Sequence, residues 1–360
     1  MNNFLRPVFL NEIGLMEMCF YVNHLKVAII FKWIFGESFF MSKIVSDSYK
    51  RARRDFLKTS ARTGFFLTIG YPLISIPGNV WGSVSELNSA DLAVVTGDPG
   101  KAVRKAIDLL GGIQRFIKKG QRVVIKPNMS FAKTPEEASN TNPLVVATVA
   151  KACIEAGAQN VLVLDHTLQK EELCLERSGI KKHCQPIEKT HVLALNDEKF
   201  YQSVNVPQGK VIKHLEIMKE VIRCDVLINL PTAKSHSATG VSLGMKGLMG
   251  VIWDRGYFHS KVDLNQAIAD LSSVVRPSLT IIDASRALIT GGPAGPGKVE
   301  KLNTIIAGVD PVAVDAYGVS VARWYNKKFD AANIKHIVAA HRMGLGNINL
   351  DKLHIKKENV

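Results

Sequence analysis

From Asp91 onward, short apolar runs alternate with longer segments whose apolar residues recur at helical spacing. Leu92–Val95, Arg122–Ile125, Val161–Leu164, Val226–Leu230, Leu279–Ile282 and Leu302–Ala307 have the length and apolar character of buried strands. Ala102–Leu110 reads as an amphipathic helix stopped by Gly111-Gly112. Pro143–Ala156 opens on proline and closes at Gly157, the expected asymmetry of helix ends. Further helices are predicted over Lys170–Arg177, His214–Ile222, Leu264–Val275, Pro311–Trp324 and Asn333–Arg342. His191–Leu195 and Gln202–Val206 read as short strands, and Pro231–Tyr257 as a loop carrying a short helix. This alternation predicts an α/β fold: a largely parallel or mixed sheet with helices on both faces. One domain over residues 86–360 is expected, with a small inserted subdomain around 185–215.

Composition narrows the class. Of 360 residues, 46% are apolar and 22% charged, which excludes disorder, collagen and coiled coil. Five cysteines are too few for a disulfide scaffold. The net charge of +14 is concentrated partly at the front, because residues 1–82 hold 10 of the 46 Lys/Arg and 5 of the 32 Asp/Glu. The body is left at about +9, a balance that favours anionic ligands or membrane surfaces. Nucleic acid is not an expected partner, since no basic-aromatic stripe, zinc-finger spacing or nucleic-acid module is present.

Near the front, Arg53-Arg54-Asp55-Phe56-Leu57-Lys58 precedes an uncharged stretch from Thr63 to Ser85. Paired arginines, Phe-Leu-Lys and a moderately apolar run resemble a twin-arginine export signal, with Arg53, Arg54, Phe56, Leu57 and Lys58 as its motif. The signal segment is assigned to 41–85, with Met41 as the expected start and 1–40 as an upstream extension. Gly64, Gly70, Pro72, Pro77 and Gly78 interrupt the apolar run and make it a poor permanent membrane helix. Ser83-Val84-Ser85 is the best small-x-small cleavage candidate. The expected location is periplasmic or otherwise extracytoplasmic, reached through the twin-arginine export machinery. A membrane anchor exists only if the signal stays uncleaved.

Ligands in open α/β sheets gather beyond the carboxyl ends of strands. Polar groups stand at four such ends: Lys126 and Asn128; Asp165 and His166; Thr232, Lys234 and His236; and Asp283. Lys126, Asn128, Lys234, His236 and Lys246 are therefore the candidate ligand-binding set, a cationic pocket for phosphate or carboxylate. Asp165, Asp283 and His259 are the candidate catalytic groups, the two aspartates for general acid/base work or metal ligation. Asp310-Pro311 has the form of a helix N-cap followed by proline, and Asp315 needs a partner if its apolar helix is buried.

Lys126-Pro127-Asn128, Pro231-Thr232-Ala233-Lys234-Ser235-His236, Gly244-Met245-Lys246-Gly247-Leu248-Met249-Gly250, Ile282-Asp283-Ala284 and Asp310-Pro311-Val312-Ala313-Val314-Asp315 occur in this order. The series resembles the family called domain of unknown function 362, over roughly Leu92 to Arg342. That resemblance implies a twin-arginine leader in many members and ferredoxin-like cysteine clusters in some. Here the family's Lys-Asn pair stands as Lys246-Gly247, and no C-x-x-C occurs. The family implies no reaction.

Other signals carry less. Gly292 to Lys298 matches G-x-x-x-x-G-K, but Val299 replaces the magnesium-binding hydroxyl, and Pro293 and Pro296 lack the N–H groups a phosphate cradle needs. A Gly/Pro lid or tight crossover is expected there instead. Cys153 and Cys224 read as core positions, and Cys174 and Cys184 as a pair able to form a disulfide in an oxidising compartment. No metal site is assigned, and no cofactor is named. The expectation is an exported enzyme or ligand-binding protein with a cationic strand-end pocket for an anionic small molecule. A redox protein working with an iron-sulfur partner, or a non-catalytic periplasmic binding or assembly factor, are the alternatives.

Overall fold

The structure, a computed structural model, describes residues 89–360 and, ahead of them, two strands. Two compact units partition the chain, Met1–Gly78 and Asn79–Val360. In the first, β1 (Leu15–Val22) pairs antiparallel with β2 (Leu25–Lys32). Arg53, Arg54, Phe56, Leu57 and Lys58 lie outside the described residues.

The second unit begins β3 (Leu92–Thr96), α1 (Pro99–Leu109), β4 (Arg122–Pro127), α2 (Pro143–Glu155) and β5 (Asn160–Asp165). It continues with α3 (Glu171–Arg177), α4 (Ile180–Cys184), β6 (Thr190–Ala194), β7 (Tyr201–Asn205), β8 (His214–Met218) and α5 (Lys219–Arg223). Then come β9 (Val226–Leu230), β10 (Thr232–His236), β11 (Gly240–Ser242), α6 (Gly244–Gly247), α7 (Arg255–Ser260) and α8 (Leu264–Val274). The chain closes with β12 (Leu279–Leu288), β13 (Val299–Gly308), α9 (Pro311–Ser320), α10 (Lys335–Arg342) and β14 (Ile355–Asn359).

The main sheet runs β14-β3-β13-β12-β9-β4-β5-β6. Neighbours along it are parallel except at β13, which lies antiparallel to both β12 and β3. This is the largely parallel α/β sheet the alternation predicts. Alternate residues feed two cores, as the two-residue period of a strand requires. Val123, Ile125, Val161, Val163 and Ile228 pack into one, with Val145, Val146 and Val149 of α2. Val124, Leu164, Leu227 and Ile282 pack into the other, with Ile268 and Leu271 of α8 and Val314 of α9. Asn142 caps α2 through Leu144 N, and Asp310 caps α9 through the N–H groups of Val312 and Ala313, each ahead of a proline.

Three stretches differ from the sequence expectation. His214–Met218 is a strand, not a helix, and pairs antiparallel with β7 as a two-stranded sheet. Leu215 and Ile217 are buried on its inner side and belong to the larger core with Tyr201 and Met218, so period two prevails over the helical propensity of the local sequence. Residues 201–218 form a hairpin outside the main sheet, and its inner side packs on the larger core. Pro231–Tyr257 is not a loop: β10 and β11 pair antiparallel, and β10 runs parallel beside β12, Thr232 opposite Asp283. The polar composition of Thr232–His236 hides a fully buried strand. Cys174 and Cys184 are both buried and unpaired, so no disulfide joins them. Among the described residues no helix is long and apolar enough to cross a membrane.

Candidate functional site

The strands β12, β9, β4 and β5 lie side by side and parallel, so their carboxyl ends share one edge of the sheet. A cavity of about 260 Å³ opens there. Lys126, Asn128, Lys234, His236, Lys246 and His259 all line it, although 120 positions separate Lys126 from Lys246. Arg255, Phe131, Leu168, Met249 and Pro293 complete much of its wall.

Local structure explains each placement. Lys126 is the fifth residue of β4, opposite Asn229 of β9, and it is 1% exposed. Its Nζ lies 3.2 Å from Oδ1 of Asp165, which is itself fully buried at the end of β5. Asp165 also accepts hydrogen bonds from Met129 N, Ser130 Oγ and His166 N. Gly250 passes directly over this pair: a Cβ there would strike Asp165 Oδ1 and stand 2.6 Å from Lys126 Nζ. Asn128 Oδ1 accepts from Thr232 N and so ties the end of β4 to the start of β10. Lys234 and His236 are two residues apart on β10 and share one face. The Lys234 ammonium donates to the Ser139 carbonyl at 2.6 Å and lies over the Phe131 ring.

Lys246 is carried by α6. The first two N–H groups of that turn, from Gly244 and Met245, donate to the two oxygens of Asp315 at 2.7 and 2.9 Å. Asp315 is therefore a buried clamp on the turn that presents Lys246. Burial pushes its carboxyl up to about 7 against those two hydrogen bonds. The Lys246 side chain is itself buried, and among the described residues its amine has no hydrogen-bond or ion-pair partner.

Electrostatics follows from crowding. Burial lowers the Lys126 ammonium below the lysine range, and Asp165 pulls it back. Lys234 falls to about 7, through burial and then the Lys126 charge. Lys246 also falls to about 7, through burial, then Arg255 and Lys126. Burial and the neighbouring cations push His236 down to about 3, and His259 below its usual value. The Ala238 N–H donates to His236 Nδ1, so the neutral ring carries its proton on Nε2. The His236 and His259 rings stack at 6.0 Å. Such a site presents a guanidinium and, at Lys234 and Lys246, amines that exchange protons near neutral pH.

Asp165 and Asp283 do not line the cavity. Asp283 is buried: Oδ2 accepts from Asn142 N, and Oδ1 from Ser285 N and Oγ. It braces the start of α2 instead of facing the cations. Arg255, absent from the sequence-level candidates, stands one helical turn before His259 on α7; that i, i+4 relation was its legible signal. The Gly292–Lys298 segment leads into β13, a strand, and contributes Pro293 to the cavity wall. Among the described residues no three His, Cys, Asp or Glu side chains group as a metal site.

The chain is 27% identical over 251 residues to a thylakoid-associated protein of Synechocystis, sll1697, spanning 68% of this chain and 74% of that one. Among solved structures it is similar to a Thermotoga maritima protein at 14% identity and TM-score 0.36, over 52% of this chain and 51% of that one. It is also similar to the lactate racemase apoprotein of Thermoanaerobacterium thermosaccharolyticum at 15% identity and TM-score 0.43, over 69% of this chain and 60% of that one. It thus spans between half and three-fifths of the length of those two structures. A family model described as Domain of unknown function (DUF362) matches residues 123–320, more than half of the sequence and every cavity-lining residue named above, and the chain belongs to that family.

Proposed function

We propose that this chain is an exported protein, an enzyme or a ligand-binding protein, that holds a small carboxylate- or phosphate-bearing molecule at the strand-end cavity. The observation that carries the reading is unmatched positive charge. Lys126, Lys234, Lys246 and Arg255 border one cavity whose lining, among the described residues, holds no carboxylate, and Asp165 behind it is already engaged by Lys126 and three other donors. Buried cations that lack counter-charges cost stability, and a bound anion offsets that cost. In this reading Lys126–Asp165 is the fixed floor, Lys246 and Arg255 meet the anion, and Asn128 and His236 supply neutral hydrogen bonds.

Ligand-observed NMR and calorimetry with inorganic phosphate and short carboxylates test the idea. Binding should occur in the wild-type chain and fall roughly tenfold or more in Lys246→Met and in Arg255→Ala, the loss expected for one charged hydrogen bond. Absence of binding by every anion in the series would remove the reading. Export rests on the Arg53-Arg54 motif. Changing both arginines to lysine should retain the protein in the cytoplasm, because the machinery reads guanidinium groups. Equal periplasmic recovery of the variant would refute it.

A further inference from the structure

Three lysines line the cavity, and they are not equivalent. The Lys126 amine is held by Asp165 at 3.2 Å, and the Lys234 amine by the Ser139 carbonyl at 2.6 Å. Lys246 is 8% exposed, and its amine has no hydrogen-bond or ion-pair partner among the described residues. It nevertheless opens on the cavity, on a turn pinned by Asp315 and by Asn229, whose Nδ2 donates to the Gly244 carbonyl at 2.9 Å. A rigidly presented, unengaged amine beside other cations is the arrangement that activates a lysine as a nucleophile. Arg255 lines the same cavity, and its planar guanidinium suits a carboxylate.

Resting on the anion-binding reading above, we propose that Lys246 is a nucleophile that forms an imine with the carbonyl carbon of a 2-oxo acid whose carboxylate is held by Arg255. The step balances without an external oxidant or reductant. The neutral amine attacks the carbonyl carbon with its lone pair; the C–N bond forms as the C–O π bond opens, and the oxygen takes up a proton. The resulting carbinolamine loses a proton from nitrogen and expels its protonated oxygen as water. Overall, one ammonium and one carbonyl give one protonated imine and one water. His259, neutral at pH 7 and on the cavity wall, carries the proton from nitrogen to oxygen, and the Nε2–H of His236 on the same wall donates a hydrogen bond to that oxygen. With its ordinary pKa displaced to about 7, Lys246 supplies the neutral amine at physiological pH.

The test uses the full chain with pyruvate, 2-oxobutyrate and phenylpyruvate, each followed by borohydride reduction and peptide mass spectrometry. Lactate binding measured by NMR serves as the carbonyl-free control. A reduced adduct on the Lys246 peptide with at least one of the three acids, absent from Lys246→Met, is the expected result. Acetaldehyde, which lacks the carboxylate, should label that peptide roughly tenfold less, as should pyruvate with Arg255→Ala. Binding of 2-oxo acids and lactate alike with no adduct on Lys246 would overturn the imine and leave the anion-binding reading standing. An adduct confined to Lys234 or scattered over surface lysines would also overturn it. If neither the oxo acids nor lactate nor phosphate binds, both readings fall. Because the wild-type peptide locates the adduct, the test does not depend on the variants folding.

Discussion

Asp165→Asn isolates the fixed floor of the cavity. The change is nearly isosteric, and it leaves Lys126 buried, 1% exposed, without its counter-charge. At 3.2 Å and an effective dielectric of about 20, the lost attraction is about 5 kcal/mol. The lysine has one escape, which is to shed its proton. Relative to an ordinary lysine that costs about 4.6 kcal/mol at pH 7, at about 1.36 kcal/mol for each unit. The two routes set a common ceiling, and a destabilisation of about 3–5 kcal/mol is expected. Lys126→Met should cost less, because Asp165 keeps three donors, Met129 N, Ser130 Oγ and His166 N. The double variant should therefore be more stable than the sum of the two singles implies, with a coupling of about 2 kcal/mol or more. Denaturant unfolding of all four proteins, followed by the fluorescence of the buried Trp324, measures this. The Asp165→Asn deficit should also shrink as pH rises, because deprotonating Lys126 becomes cheaper by about 1.4 kcal/mol per pH unit. Additivity within about 0.5 kcal/mol, or an equal cost for the two single variants, would refute the claim that this contact is a coupled buried ion pair.

The remaining predictions concern the groups around that floor. Lys246 has a folded pKa near 7 against an unfolded value near 10.5, so the unfolded chain binds the extra proton between those limits, and stability rises with pH there. The stability advantage of Lys246→Met over wild type should then narrow from about pH 7 to pH 10, by up to about 1.4 kcal/mol per unit, and a pH-independent difference would contradict the shift. Asp315 titrates in the opposite sense: its folded pKa, about 7, lies above the unfolded 3.8, so wild-type stability falls as pH rises through that window. Asp315→Asn should remove that slope, and it should weaken anion binding by unseating the turn that carries Lys246; unchanged pH dependence in unfolding titrations would argue against it. Gly250→Ala should cost at least about 1–3 kcal/mol and abolish anion binding, since its methyl group would collide with Asp165 and Lys126; wild-type melting and affinity would show the close approach to be unimportant.

Much of the fold was legible in local pattern. Val123, Val161, Val226 and Leu279 sit in short apolar runs that read as buried strands, and the helices between them argued for parallel crossovers. Right-handed crossovers then bring strand ends to one edge, which is why Lys126, Lys234, His236 and Lys246 could be grouped before their distances were known. What local pattern could not decide were the partners, because charge pairing depends on which strands are neighbours. Asp165 and Asp283 look alike in sequence, each closing an apolar run. β5 lies beside β4, so Asp165 takes Lys126, whereas Asp283 lies within reach of Asn142 and Ser285 and braces a helix start. β10 was hidden for a related reason: a strand whose polar side chains are satisfied by tertiary contacts, Lys234 by Ser139 and Ser235 by Gly292 N, has no apolar signature to read. The same holds for Lys246. Its place in the chain was evident from Gly244–Gly250, but that its amine has no hydrogen-bond or ion-pair partner among the described residues follows only from where β4, β10, α6 and α7 converge.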